Sequence, residues 1–150
     1  MYDERLTVPR SWWLLPVAAG LSLGLIMLRF SAVGALAALL VGIVAMAAAL
    51  SSYGSARIRV VQGSLVAGQA RIPLSALGAA EPLDRAEALA WRSVKADPRA
   101  FMLLRSYVPT ALRVEVCDPA DPTPYVYLST RSPQQLAEAI DAARAGAAAG

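Results

Sequence analysis

The chain has no histidine, one cysteine (Cys117) and one lysine (Lys95) among its 150 residues. Without imidazole there is no Ser-His or Cys-His nucleophile pair, and most zinc and non-haem iron sites are excluded as well. A single cysteine cannot close an intramolecular disulfide, which excludes a disulfide-stapled extracellular domain and fits a reducing compartment. Cys117 then reads as an ordinary, partly exposed thiol. No G-x-x-x-x-G-K-[ST] or G-x-G-x-x-G segment occurs, so phosphate-loop and dinucleotide readings fail. Asp118 and Asp121 fall short of the oxygens a hard cation needs and read as loop caps, as does Asp97 before Pro98. The expectation is a chain with no cofactor, no metal and no catalytic set: not an enzyme.

Charge is also missing from two long stretches, Ser11 through Leu28 and Phe30 through Ala56, separated by Arg29 alone. One helix over the whole run would be about twice too long for a bilayer core of roughly 30 Å and would carry Arg29 near its middle, at about 2.5–3.5 kcal/mol. Two antiparallel spans, residues 12–28 and 32–50, remove both problems by placing the turn at 29–31. Arg29 and Phe30 then anchor one membrane interface, and Trp12 and Trp13 the other. Pro16 is expected to kink the first span. The apolar run is too long for a secretory signal, so it reads as a retained anchor.

Arg5, Arg10, Arg57 and Arg59 flank the open end of this hairpin against Arg29 at its tip. The positive-inside rule therefore puts both termini in the cytoplasm and the protein in the inner (plasma) membrane, with the lipid bilayer as its first partner. Gly20 and Gly24 form a G-x-x-x-G, and Gly34 and Gly42 lie in the second span. Such spacing suits close packing inside the hairpin, and also a homo-oligomer or a partner helix.

Residues 1–11 read as a cytoplasmic lead-in, 51–56 as a linker, 57–146 as a cytoplasmic domain and 147–150 as a tail. Short alternating strands are expected at 57–60, 64–67 and 70–74, with Pro73 at an edge. A capping box at Asp84 and Glu87 starts a short helix reaching about Ser93. Strands follow over 101–108, 111–117 and 125–130, the last two joined by the rigid loop Asp118-Pro119-Ala120-Asp121-Pro122-Thr123-Pro124. Ser132 and Pro133 open an amphipathic helix with Leu136, Ala139, Ile140 and Ala143 as its buried stripe. The predicted class is α+β: a transmembrane helical hairpin, then a small antiparallel-sheet roll, pleckstrin-homology-like in order, closed by a C-terminal helix.

Tyr2-Asp3-Glu4-Arg5-Leu6 before Trp12-Trp13, Asp97-Pro98-Arg99-Ala100-Phe101, the 118–125 segment and Ser129-Thr130-Arg131 resemble an actinobacterial family of small membrane proteins classified as a domain of unknown function. The resemblance covers nearly the whole chain. It implies two amino-terminal spans, a cytoplasmic domain and an actinobacterial source, and supplies no activity, ligand or site. The strands from Arg57 to Leu77 are also similar to the opening of bacterial pleckstrin-homology-type domains.

Basic residues exceed acidic ones by three, 14 against 11, too small a surplus to suggest nucleic acid. Arg57, Arg59 and Arg71 are more telling, because no acidic residue lies between Ser51 and Ala80. Beside an anionic leaflet each is worth about 1 kcal/mol, and arginine contacts phosphate bidentately. Two functions follow as expectations. The first is an adaptor or assembly factor that holds a docking domain at the membrane for a membrane or cytoplasmic protein partner. The alternative is an anionic-lipid-recognising module using Arg57, Arg59 and Arg71.

Overall fold

The chain divides into two units, Thr7–Ala56 and Met1–Leu6 joined with Arg57–Gly150. The computed structural model describes residues 2–61 and 63–148.

The first unit is the apolar hairpin. A 3-10 turn at Arg10–Trp13 leads into α1 (Leu14–Leu28), and α2 follows over Ala32–Tyr53, so that residues 51–53 of the expected linker are helical. The runs Arg10–Leu28 and Ala32–Tyr53 have mean hydropathies of 1.7 and 2.6. At 1.5 Å per residue they measure about 28 and 33 Å, long and apolar enough to cross a membrane. Their outward side chains are the wrong kind for water: Leu25 is 69 % exposed, Val33 80 % and Val44 66 %.

The glycines serve the hairpin itself. A Cβ added at Gly42 would lie 2.9 Å from Gly20 Cα, and one at Gly20 would lie 2.6 Å from the Leu39 carbonyl oxygen. Only side-chain-free positions allow this approach. The G-x-x-x-G stripe therefore meets α2, which leaves the outward faces for any contact with a second copy. Pro16 sits in the first turn of α1, where its missing N–H breaks no helical hydrogen bond. It follows the passage from the 3-10 turn of Arg10–Trp13 into regular α-helix.

The second unit begins with a strand. Tyr2–Arg5 (β1) pairs antiparallel with Arg57–Val61 (β2), in register from Tyr2↔Val60 to Arg5↔Arg57. The segment 1–11 is thus more than a lead-in, since its first residues belong to the sheet that resumes after the hairpin. Ser64–Ala67 (β3) and Ala70–Pro73 (β4) complete sheet A in the order β1-β2-β3-β4. Gly63 (φ 71°) and Gly68 (φ 62°) lie in the turns on either side of β3, in the left-handed region where a side chain is strained.

Sheet B consists of Leu77–Leu83 (β5), Phe101–Leu103 (β6), Ala111–Val116 (β7) and Tyr125–Ser129 (β8), ordered β5-β7-β8-β6. Its pairs are antiparallel except β6–β8, which is parallel. β5 has no counterpart in the sequence reading: Leu-Gly-Ala-Ala-Glu-Pro-Leu has little strand propensity, and its register shifts between Leu77 and Ala80. β6 is shorter than the expected 101–108. Beyond it Arg105 N–H donates to Ser129 Oγ (3.0 Å), and Val108 N–H closes a turn onto the Arg105 carbonyl (2.9 Å).

Between β5 and β6, α3 (Arg85–Trp91) starts on the predicted capping box, with Asp84 Oδ1 accepting from Ala86 and Glu87 N–H (2.8 and 2.9 Å). All five residues of β8 are buried, so this sheet is covered on both faces. One face packs Tyr125, Tyr127, Ala111 and Leu83 with Ala88 of α3. By strand parity the other carries Leu112, Val114, Val126 and Leu128. The closing helix α4 (Pro133–Ala148) buries Leu136 and Ile140 completely and contacts β5, β7 and β2, so it meets both sheets. Ala139 and Ala143 are half-buried, and Ala137 joins the stripe. The domain is α+β, as its sequence indicates.

Candidate functional site

Sheet A is covered on one face only. Alternation puts Ile58, Val60, Leu65 and Ala67 inward and fully or nearly fully buried, and puts Arg57, Arg59 and Arg71 on the exposed outer face. The register aligns Asp3, Arg59, Val66 and Arg71 in one row across the four strands, with Arg5 opposite Arg57 in the next. The three arginines singled out from sequence are thus brought together. Arg5, noticed there only as a topology signal, joins them, and Asp3 is the one carboxylate on this face among the described residues.

At strand spacings Arg57 and Arg59 lie about 7 Å apart and Arg59 and Arg71 about 10 Å apart. Among the described residues no ion pair or side-chain hydrogen bond engages Arg5, Arg57, Arg59 or Arg71.

The inward residue of β1 does the opposite. Glu4 accepts from the Tyr2 hydroxyl (2.8 Å), from Arg131 N–H (3.0 Å) and from Thr130 Oγ1. Thr130 is fully buried and also accepts through Oγ1 from Ser132 N–H (3.1 Å), at the entrance to α4. The Tyr107 hydroxyl donates to the Leu6 carbonyl (2.8 Å). The Glu4 contacts fasten β1 to the end of β8 and the start of α4, and the Tyr107 bond ties Leu6, the next residue after β1, to the connection between β6 and β7. Burial, with some help from the Glu4 carboxylate and against the Thr130 contact, pushes the Tyr2 hydroxyl up to about 12.

On sheet B the outward arginine is enclosed. Arg113 pairs with Glu81 (3.0 Å) and Glu115 (3.3 Å), and its guanidinium lies 4.3 Å from the Trp91 ring centroid and 5.3 Å from that of Tyr125. Trp91 and Tyr125 meet edge to face at 5.2 Å. The cluster was not foreseen from sequence, because its members come from β5, α3, β7 and β8.

The remaining candidates behave as caps. Asp118 Oδ1 accepts from Ala120 N–H and Asp121 Oδ1 from Thr123 N–H, each at 2.9 Å. The Thr123 contacts hold the Asp121 carboxyl below its ordinary value. Asp97 is likewise lowered by its Arg99 partner, 3.1 Å away. Among the described residues no cluster of three or more metal-ligating side chains occurs.

Trp12 and Trp13 lie at the open end of the hairpin, and Arg29 and Phe30 at its turn. Trp12 stacks on Tyr53 (6.5 Å, 3°) beside the exposed Trp13, whereas Arg29 ends α1 next to Phe30, which is 76 % exposed. Ser31 caps α2 by accepting from Gly34 N–H (3.3 Å).

The family model described as "Protein of unknown function (DUF3093)" matches residues 1–140. The chain belongs to this family. Its match opens before β1 and ends at Ile140, the last fully buried position of the α4 stripe. The family is therefore defined on the β1 strand, the hairpin and both sheets together. No curated protein and no solved structure matches the chain.

Proposed function

We propose that this protein is a membrane-anchored binding module. In this reading α1 and α2 span the inner membrane, and the α+β domain and both termini lie in the cytoplasm. The domain docks a membrane or cytoplasmic protein partner without catalysing a reaction, as an adaptor or assembly factor for a membrane or envelope complex.

The observation that carries the reading is the insertion of the hairpin between two paired strands. Arg5 and Arg57 are register partners, so the chain leaves and re-enters the domain at one point of one sheet. Two spans that start and finish at one point return to the same side of a bilayer. The arginine count at the open end favours the cytoplasmic side. An anchor built into a ladder differs from one hung on a linker: the β1–β2 pairing is itself part of the attachment.

The domain's polar clusters support binding over turnover. Glu4 and Arg113 are occupied by partners within the fold, and the free charge lies on an outer surface. A four-stranded meander, a second sheet and a terminal helix also support a pleckstrin-homology-like reading, from which the parallel β6–β8 pair and α3 depart.

Cross-linking in the native cell, followed by purification of the full-length protein, tests the docking role. A reproducible stoichiometric protein partner is the expected result, and a protein invariably recovered alone removes the adaptor reading. Cys117 is exposed and reports orientation: a membrane-impermeant thiol reagent should label it only after permeabilisation, and labelling of intact cells would invert the topology.

A further inference from the structure

The two arginines at the root of the hairpin face each other. Arg5 and Arg57 are opposite one another at the end of the β1–β2 ladder, about 4.5–5.5 Å apart at Cα. Like charges so placed repel across a ladder. No carboxylate closes on either among the described residues. Asp3 sits opposite Arg59, which leaves the Arg5–Arg57 end with the least compensated charge on the face.

We propose that Arg5 and Arg57 form a clamp for the phosphate of an anionic phospholipid headgroup, with Arg59 and Arg71 extending the cationic surface around it. The proposal rests on the reading of α1 and α2 as membrane spans. Two guanidinium forks can each donate bidentately to one phosphate, and the anion they hold cancels the repulsion between them.

Chain length makes that anion a lipid. Arg57 follows Tyr53 by four positions and Arg5 precedes Arg10 by five, so even a fully extended chain keeps them within about 14 and 18 Å of the helix ends. Side chains tethered this closely to two spans work in the headgroup region, where phosphates are far more concentrated than free anions in solution.

The test is native mass spectrometry of the full-length protein in mild detergent, titrated with phosphatidylglycerol and, in parallel, phosphatidylcholine. Preferential, salt-sensitive retention of phosphatidylglycerol is expected. Loss of about fivefold in affinity per arginine makes about thirtyfold for the Arg5→Gln/Arg57→Gln double variant. An Arg85→Gln/Arg92→Gln variant should retain the wild-type affinity. Thermal unfolding in neutral detergent should occur at the wild-type temperature or slightly above, which separates lost binding from lost folding.

Equal retention by wild type and double variant would overturn the clamp. So would loss on Arg29→Gln instead, or displacement of the lipid by millimolar inorganic phosphate, which would make the ligand a soluble anion. If alkaline carbonate strips the protein from membranes, the spanning reading fails and the clamp with it. If the protein stays in the membrane without lipid preference, the clamp alone fails.

Discussion

Sheet B encloses Arg113 beneath Trp91 and between Glu81 and Glu115, whereas sheet A holds Arg5, Arg57, Arg59 and Arg71 in the open, where no partner among the described residues closes on them. The difference follows from what covers each sheet. α3 lies on one face of sheet B and a second apolar face lies behind it, so a charge there loses water and must regain its contacts inside the protein. Sheet A is packed on one face only. Its outer arginines keep their hydration, cost the fold little and remain available to something outside it.

Substitutions can break this contrast or sharpen it. The largest effect belongs to the enclosed side. Tyr127 is 1 % exposed and its hydroxyl donates to the Ala88 carbonyl at 3.0 Å. Tyr127→Ala should destabilise the domain by about 3–5 kcal/mol, read as the shift of thermal or denaturant unfolding. Next is the fastening of β1: Glu4→Ala leaves the Tyr2 hydroxyl, Thr130 Oγ1 and Arg131 N–H to find other partners and should cost about 1–3 kcal/mol. Hydrogen exchange should show β1 amides opening ahead of those of β3. If β1 stays as protected as β3, the Glu4 cluster is not what holds it.

The direct comparison comes third. Arg113→Ala removes two ion pairs and the cover over Trp91, and should cost about 1–2 kcal/mol. Arg71→Ala should change stability by less than about 0.5 kcal/mol. Equal costs would erase the distinction between the sheets.

The smallest effect is alkaline. The Tyr2 hydroxyl is raised to about 12 from an ordinary value of 10.0, chiefly by burial. Its folded-state pKa lies above the unfolded one, so its contribution is fully present below about pH 10 and is lost as pH rises towards 12. Tyr2→Phe should flatten that part of the stability–pH curve.

Much of the architecture was legible because it is local. The absence of charge from 11–28 and 30–56 marks the two helices by length and hydropathy alone, and the Asp84 capping box forms where short-range pattern puts it. β2 and β3 alternate in burial, β7 alternates from Leu112 to Glu115, and all three were readable for the same reason. β1 and β5 were not. Tyr-Asp-Glu-Arg and Leu-Gly-Ala-Ala-Glu-Pro-Leu have no intrinsic strand signal, and they become strands only because β2 and β7 offer them a ladder. The Arg113 cluster was invisible for a related reason, as it joins residues from Glu81 to Tyr125 that only the sheet register places side by side.

By itself the sequence determined that there are two apolar helices with one arginine at their turn, that an α+β domain follows, and that none of its 150 residues is histidine. Each of these depends on composition, or on periodicity over a few residues, which the chain carries with it before it folds. Only the tertiary structure decided that the domain begins before the hairpin, and that four arginines share one open face with Arg5 set against Arg57. Those facts are set by pairing across more than 50 intervening residues, from Arg5 to Arg57. Such pairing is enforced by the inward face of β2 and by the Glu4 contacts to residues 130 and 131, which no local pattern encodes.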